Sequence, residues 1–321
     1  MRVNLIQVFY IFIFIMLIGT SAYALTNFSK ATIVVLDERN DPIDGAYTGI
    51  TFETNTGQGT KVSTGDGSTN LEGKFTATGS CNGHISYGAK KEGYYDSYYV
   101  YDFKEKNSFG WEPWNPELKV VLRKIENPVP MYARRAKIEI PVAGKEIGFD
   151  LVKYDWVIPY GKGTIGDFTV YLDMDDKGGN DYEYKFKIYF PEKYDGFYTY
   201  DEEIEKGSSF KLPRIADMDG YYDKEINILM VGLKRGSKLS WKNNRHYIFR
   251  VRSEEKHGKF TRGMYGKIFS DIKLLTARKK GGIPSLSFTY YLNPDFTRNL
   301  EFDPKRNLFG NLPDSERVTE P

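Results

Sequence analysis

The feature that most limits what this chain can become is alternation. Asp181 to Phe190 reads DYEYKFKIYF, with Tyr182, Tyr184, Phe186, Ile188 and Phe190 on one face and Glu183, Lys185 and Lys187 on the other. A period of two belongs to an extended strand, so one face is predicted to pack on a core and the other to meet water. The pattern recurs. Thr32 to Asp37 (TIVVLD) and Ala46 to Thr54 (AYTGITFET) are predicted strands. Arg245 to Ser253 (RHYIFRVRS) is predicted to turn Tyr247, Phe249 and Val251 inward and Arg250 and Arg252 outward, with His246 solvated. Leu286 to Leu292 follows the turn-like Lys279-Lys280-Gly281-Gly282, so Ile268 to Leu292 reads as a hairpin. No segment of 12 residues shows a 3.6 period with caps. Short strands between Gly, Pro, Asn and Asp clusters predict an all-β chain built as sandwiches. The aromatic share of 16% (25 Tyr, 21 Phe and 4 Trp) is then mostly strand filling. Left over are the loop Trp111 to Trp114 and the pairs Tyr94-Tyr95 and Tyr98-Tyr99.

Two segments set the organisation. Arg2 precedes an apolar run of 14 residues, Leu5 to Ile18, broken by Gln7 and followed by Ser21-Ala22-Tyr23-Ala24. A basic start, a short apolar stretch and an A-x-A ending predict a secretory signal peptide at 1–24. The run is short for a membrane-spanning helix, which needs about 20 apolar residues. The mature chain is expected to start near Leu25, to be periplasmic or secreted, and to carry no membrane span. The single cysteine, Cys81, excludes an intramolecular disulfide and is expected to be a buried, inert residue. Asn127-Pro128-Val129-Pro130 has the two prolines of a linker. The expected division is 25–127, ending in the strand-like Leu118 to Lys124, and a β-rich domain of unknown function at 128–321.

The first part carries a recognisable order of motifs. Val34-Val35-Leu36-Asp37 is followed by Asp41-Pro42-Ile43-Asp44-Gly45-Ala46, then by Ser63-Thr64-Gly65-Asp66-Gly67 leading to Gly73-Lys74-Phe75. Ala89-Lys90-Lys91-Glu92-Gly93-Tyr94-Tyr95 and Val120-Val121-Leu122 close the series. Over about residues 31–124 this resembles the carboxypeptidase regulatory-like domain, with a longer insert at Gly67 to Glu72. The resemblance implies a transthyretin-like β-sandwich with an accessory, non-catalytic role. Segments of the remainder, such as Gly148-Phe149-Asp150-Leu151 and Asn299-Leu300-Glu301-Phe302-Asp303, resemble uncharacterised exported bacterial proteins.

Charge is blocked along the chain. The formal net charge is only +2, yet Asp173 to Asn227 holds 15 acidic against 8 basic residues, and Ile228 to Lys280 holds 3 against 15. Acidic and basic strands that pair across a sheet would produce this. A basic face for an anionic polysaccharide or lipid headgroup is the sharper reading, and nucleic acid is not expected as a partner.

Few motifs carry chemistry. Gly161-Lys162-Gly163-Thr164-Ile165-Gly166 matches G-x-G-x-x-G, but a strand-like segment follows where a helix is required, so a glycine turn is expected. Asp173, Asp175 and Asp181 occupy calcium-loop spacing around a glycine, with Lys177 and Tyr184 out of place. A hairpin turn explains them, and a calcium site is the alternative. Asp217, Asp219 and Asp223 form a weaker candidate. His84, His246 and His257 have no metal spacing, and no nucleophile elbow occurs. Trp111 and Trp114, between prolines, are candidates to stack on sugar rings or, alternatively, to plug the end of a sandwich. The expected function is a non-catalytic binding or structural module of the cell envelope, for polysaccharide or protein, with no cofactor beyond calcium. The alternative is a hydrolase with its site in the C-terminal half, and a calcium-dependent adhesion component is a third.

Overall fold

Apart from a single 3-10 turn at Leu233–Arg235, every regular element of the described residues is a strand. The computed structural model describes residues 27–201, 207–240, 242, 244–276 and 282–321. The expected signal peptide at 1–24, and Lys279, Lys280 and Gly281 of the predicted hairpin, lie outside them. Among the described residues no helix is long and apolar enough to cross a membrane. The chain divides into two compact units, Met1–Glu126 with Glu205–Lys211, and Asn127–Ile204 with Leu212–Pro321.

The first unit is built from β1 (Phe28–Leu36), β2 (Tyr47–Thr56), β3 (Gly59–Ser68), β4 (Lys74–Ser80), β5 (His84–Lys90), β6 (Ser97–Asp102) and β7 (Glu117–Val121). They form two sheets, ordered β7-β1-β4 and β3-β2-β5-β6. β1 pairs parallel with β7 and antiparallel with β4. Alternate residues point into one core, where Ile33, Val35, Ile50, Phe52, Ile85, Val120 and Leu122 are buried. Ser63 to Gly67 of the motif series lies within β3 and pairs with β2. The strand tolerates two inward glycines because its neighbours fill their places. A β-carbon at Gly65 would lie 2.7 Å from that of Ala77, and one at Gly67 would lie 2.7 Å from the Phe75 ring. Cys81 is fully buried in this core, with its sulfur 3.5 Å from the Ser29 hydroxyl.

The free edge at the start of β6 is closed from far along the chain. Ser97 forms an antiparallel bridge with Ser208. The Tyr98 N–H donates to the Gly207 carbonyl at 2.8 Å, and the Ser209 N–H to the Asp96 carbonyl at 2.9 Å. Phe210 is buried between the Tyr95 ring, 5.0 Å away, and the Arg123 guanidinium, 4.4 Å away.

The second unit contains β8 (Val129–Glu139), β9 (Ile147–Asp150), β10 (Phe168–Gly178), β11 (Asp181–Tyr189), β12 (Gly196–Tyr200), β13 (Glu225–Val231), β14 (His246–Lys256), β15 (Lys259–Leu275), β16 (Ser285–Asn293) and β17 (Phe302–Asn307). One sheet runs β12-β14-β15-β16-β8-β17. The other centres on β9-β10-β11-β13, with two-residue strands at Asp155–Trp156 and Lys238–Leu239 on its edges. Their inner faces meet in a core that includes Phe149, Leu172, Phe186, Phe249, Phe288 and Tyr290. Each such ring, fully removed from water, contributes about 1.5–3 kcal/mol. On β11, Tyr184, Phe186 and Ile188 are buried as the alternation predicts, and Phe190 follows them.

β14 departs from its prediction. Tyr247, Phe249 and Val251 do enter the main core, but the opposite face is also covered. Ile248 packs there with Ala216, Tyr221, Tyr265 and Leu300. His246 is buried, and its Nδ1 accepts the Ser270 N–H at 2.9 Å. Arg250 is only 7% exposed. Its guanidinium lies 4.3 Å from the Tyr221 ring centre and 4.2 Å from that of Phe260, and donates to the Tyr194 and Met218 carbonyls. An arginine buries readily when its flat faces find rings and its edge finds acceptors.

Candidate functional site

The register of the first unit's four-stranded sheet writes out its outer face. Ser68, Tyr47 and Lys90 form one row across β3, β2 and β5. Asp66, Gly49, Gly88 and Tyr98 form the next across all four strands, and Thr64, Thr51, Ser86 and Val100 the third. The middle of this face carries two glycines and three hydroxyl residues, so the backbone itself is the floor of a groove of about 620 Å³. Tyr47 and Tyr98 stand at its sides, 47% and 64% exposed. A second cavity of about 580 Å³, lined by Gly45, Tyr47, Lys90, Lys91, Glu92 and Asp96, shares Tyr47 and Lys90 with it.

Each groove tyrosine is oriented by a carboxylate. The Tyr47 hydroxyl donates to Asp66 Oδ2 at 2.6 Å, and that hydrogen bond raises the phenol's pKa. The Tyr98 hydroxyl lies 3.4 Å from Asp96 Oδ2, and burial together with the Asp96 charge pushes its pKa up. The Tyr98 ring also covers Gly88, where a β-carbon would lie 2.7 Å from the ring and 2.5 Å from the Ser97 carbonyl. Gly88 is thus fixed by close approach, whereas a β-carbon at Gly49 meets nothing nearer than 3.4 Å. The Lys90 ammonium sits 5.0 Å from the Tyr47 ring centre. The groove therefore offers two aromatic surfaces, a carboxylate, an ammonium and the hydroxyls of Thr51, Thr64 and Ser86. This mixture of apolar contact and directed hydrogen bonds suits a polyhydroxylated ligand. The tyrosine pair Tyr98-Tyr99 is divided between faces: Tyr99 stacks inward on Tyr87 at 5.5 Å, and Tyr98 faces the groove.

The two candidate tryptophans have different surroundings. Trp111 packs on the core cluster, its ring against Gly83, and its indole N–H donates to the Cys81 carbonyl at 2.9 Å. Trp114 is 46% exposed and stacks on Phe28 with ring centres 6.0 Å apart.

The candidate calcium ligands lie on the β10–β11 hairpin. Asp175 and Asp181 converge on Arg235, whose Nη1 and Nε reach them at 2.7 and 2.6 Å. The hydrogen bonds from Arg235 hold both carboxyls below their ordinary pKa. Asp173 stands opposite Lys185 in the ladder, and the Lys185 ammonium meets Glu183 at 3.0 Å. Among the described residues no three His, Cys, Asp or Glu side chains form a group able to hold a metal.

Carboxylates do gather in the second unit, around Arg252. Its Nε and Nη2 bond Asp167 at 2.7 and 2.9 Å, and Nη2 also bonds Asp150 at 2.7 Å. The backbone N–H groups of Val152, Lys153, Thr164 and Ile165 donate to Asp150, and that of Leu151 to Asp167. Burial alone would raise the Asp150 pKa, but these backbone donors and Arg252 outweigh it and hold it low. Burial prevails at Asp167, which is pushed up in spite of Arg252. The pair is saturated from within and closes the base of the Gly161–Gly166 loop. The loop's glycines serve close packing: a β-carbon at Gly163 would lie 2.7 Å from the Asp155 carbonyl. Two more arginines of the basic segment are similarly engaged, Arg245 with Asp271 at 3.5 Å and Arg262 with Glu254 at 2.8 Å.

No protein-family model and no curated protein matches the chain. Among solved structures it is similar to the full-length major pilin SpaD from Corynebacterium diphtheriae, at 12% identity over 88% of this chain and 85% of that one, with a TM-score of 0.25. It is also similar to a streptococcal ancillary pilin, at 11% identity over 86% of this chain, with a TM-score of 0.23. The chain covers 63% of that pilin's length. The major pilin subunit BcpA of Bacillus cereus follows at 10% identity, 82% and 68% coverage and a TM-score of 0.22. Superposition this limited leaves function to be argued from the chain's own geometry.

Proposed function

We propose that the protein is an exported, non-catalytic binding module of the bacterial cell envelope, and that the groove of the first unit takes a segment of polysaccharide. One observation carries this reading: a glycine-floored face flanked by two exposed, carboxylate-oriented tyrosines with hydroxyls between them. Stacking on Tyr47 and Tyr98 would supply apolar contact, and Asp66, Lys90 and the Thr and Ser hydroxyls would supply direction. The saturated Asp150–Asp167–Arg252 cluster supports the non-catalytic side, because its carboxylate oxygens already accept bonds from within the unit. We place the first unit in the transthyretin-like class on its seven strands in two sheets.

The test is a glycan array with the mature chain, followed by titration of the best ligand. Replacing Tyr47 and Tyr98 together by Ala should weaken binding at least tenfold, about 1.4 kcal/mol. Gly49→Val should block the floor while leaving the fold intact, since that position has room for a β-carbon. Binding unchanged in both variants would refute the assignment, and release of shortened glycan would favour the hydrolase instead.

A further inference from the structure

The four-stranded sheet of the first unit has one edge closed and one edge open. β3 pairs with β2 in an unbroken register, from Tyr47 opposite Ser68 to Thr56 opposite Gly59, and has no second neighbour. Its inner side is filled by its own unit, with Gly65 against Ala77 and Gly67 against Phe75. The direction of its backbone groups follows from both ends of the ladder. The Thr69 N–H, one residue past the strand, donates to the Ala46 carbonyl at 2.9 Å. At the other end Thr56 and Gly59 close a two-residue turn, Gly57-Gln58. Residues of an antiparallel pair alternate between exchanging both bonds and exchanging neither. Gly59, Lys61, Ser63, Gly65 and Gly67 therefore face β2, and Thr60, Val62, Thr64, Asp66 and Ser68 turn their N–H and C=O groups outward. These five residues are all exposed. Among the described residues none of their outward backbone groups meets a partner. Sheet edges are ordinarily blunted by a proline, a bulge or a covering segment, as Gly207 to Ser209 cover β6. β3 contains no proline, and its register has no shift.

We propose that this edge pairs antiparallel with the same edge of a second copy of this chain, joining two four-stranded sheets into one of eight strands. The strand is complementary to itself, and that selects the occupant. A two-fold axis normal to the sheet keeps the outer faces together, so outward residues meet outward residues. Centred on Thr64, it sets Thr64 against the partner's Thr64, Val62 against the partner's Asp66, and Thr60 against the partner's Ser68. Each such pair exchanges two N–H···O bonds, and no outward group of either strand is left over. No like charges oppose each other. The two charges of β3, Lys61 and Asp66, lie on opposite faces, and Lys61 stands against the partner's Gly67. Ser63 stands against the partner's Gly65, so glycine on one strand gives room to the side chain on the other. The Thr64 and Asp66 side chains stay on the outer face with the groove. The dimer would carry two grooves on one surface, their Gly49 floors three strand spacings, about 14 Å, apart across the strands. The pairing does not depend on what the grooves bind.

The test is sedimentation velocity of the mature chain, residues 25–321, over a concentration series. A monomer–dimer equilibrium is expected in the micromolar range. Val62→Pro removes an outward N–H and places a ring where the partner's Asp66 carbonyl would bind, while leaving the β2 ladder whole. It should raise the dissociation constant at least tenfold with an unchanged circular dichroism spectrum. The register is read separately with cysteines, for which the buried Cys81 does not compete. Two copies of Thr64→Cys would have their α-carbons about 5.5 Å apart and should oxidise to a covalent dimer. Two copies of Thr60→Cys would stand more than about 25 Å apart and should stay uncrosslinked under the same conditions. A monomer at every concentration up to millimolar, a dimer indifferent to a folded Val62→Pro chain, or equal crosslinking of the two cysteine variants would overturn the proposal.

Discussion

Replacing Arg252 by Met removes the one cation between two carboxylates that are almost completely buried, with side-chain exposures of 1% for Asp150 and 0% for Asp167. Breaking a buried pair by deleting one partner costs about 3–5 kcal/mol. For a domain of this size each kcal/mol shifts Tm by about 2–4 °C, so a fall of roughly 6–20 °C is expected. The cost should fall mainly on Asp167. Asp150 keeps its backbone donors, whereas Asp167 keeps only the Leu151 N–H. Adding Asp167→Asn to the variant should therefore recover a large part of the loss. The pH dependence has a defined sign. Burial already raises the Asp167 pKa, and losing Arg252 raises it further. A carboxyl raised on folding contributes stability at low pH that is lost as pH rises through its folded value. The Met variant should thus be least impaired in mild acid and most impaired near neutrality. Urea or thermal unfolding followed by circular dichroism from pH 4 to 8 measures this. A loss below 1 kcal/mol at neutral pH, or no recovery with Asp167→Asn, would refute the reasoning.

Two further outcomes follow from close contacts. Millimolar calcium should leave the Tm unchanged, because Arg235 already neutralises Asp175 and Asp181; a calcium-dependent rise of several degrees would show that Asp173, Asp175 and Asp181 take the ion. Gly88→Ala should destabilise by about 1–3 kcal/mol through the clash with the Ser97 carbonyl and the Tyr98 ring, while Gly49→Ala stays within about 0.5 kcal/mol. Equal stabilities for the two variants would contradict the floor geometry.

Strand content was legible because alternation is local. The core face of β11 and the main-core face of β14 are written in consecutive residues and need no knowledge of partners. The second buried face of β14 was not legible, since Arg250 is covered by Tyr221 and Phe260 from separate segments. No local pattern separates such an arginine from a solvated one. The groove was hidden for the same reason. Gly49 and Gly88 become a floor only through the β2–β5 register, and Asp66 becomes a partner of Tyr47 only through the β2–β3 register. One usable signal lay in Ser97 to Asp102, where alternation places Tyr98 and Val100 on the face opposite Tyr99 and Tyr101. Arg235 shows the converse limit: spacing made three aspartates resemble an ion site, and the guanidinium that meets two of them lies 54 residues after Asp181.

The bridge between Ser97 and Ser208 also has a consequence in time. A chain made from its N-terminus presents the first 126 residues long before Gly207 to Phe210 exist. Until then the Asp96–Tyr98 edge has unpaired backbone groups, and the space between Tyr95 and Arg123 has no Phe210 to fill it. Such an edge recruits other strands. A fragment cut at residue 127 would keep it permanently open, and is expected to self-associate through it where the full chain does not. The last piece of the first sandwich to be made thus arrives when about two thirds of the protein has been synthesised.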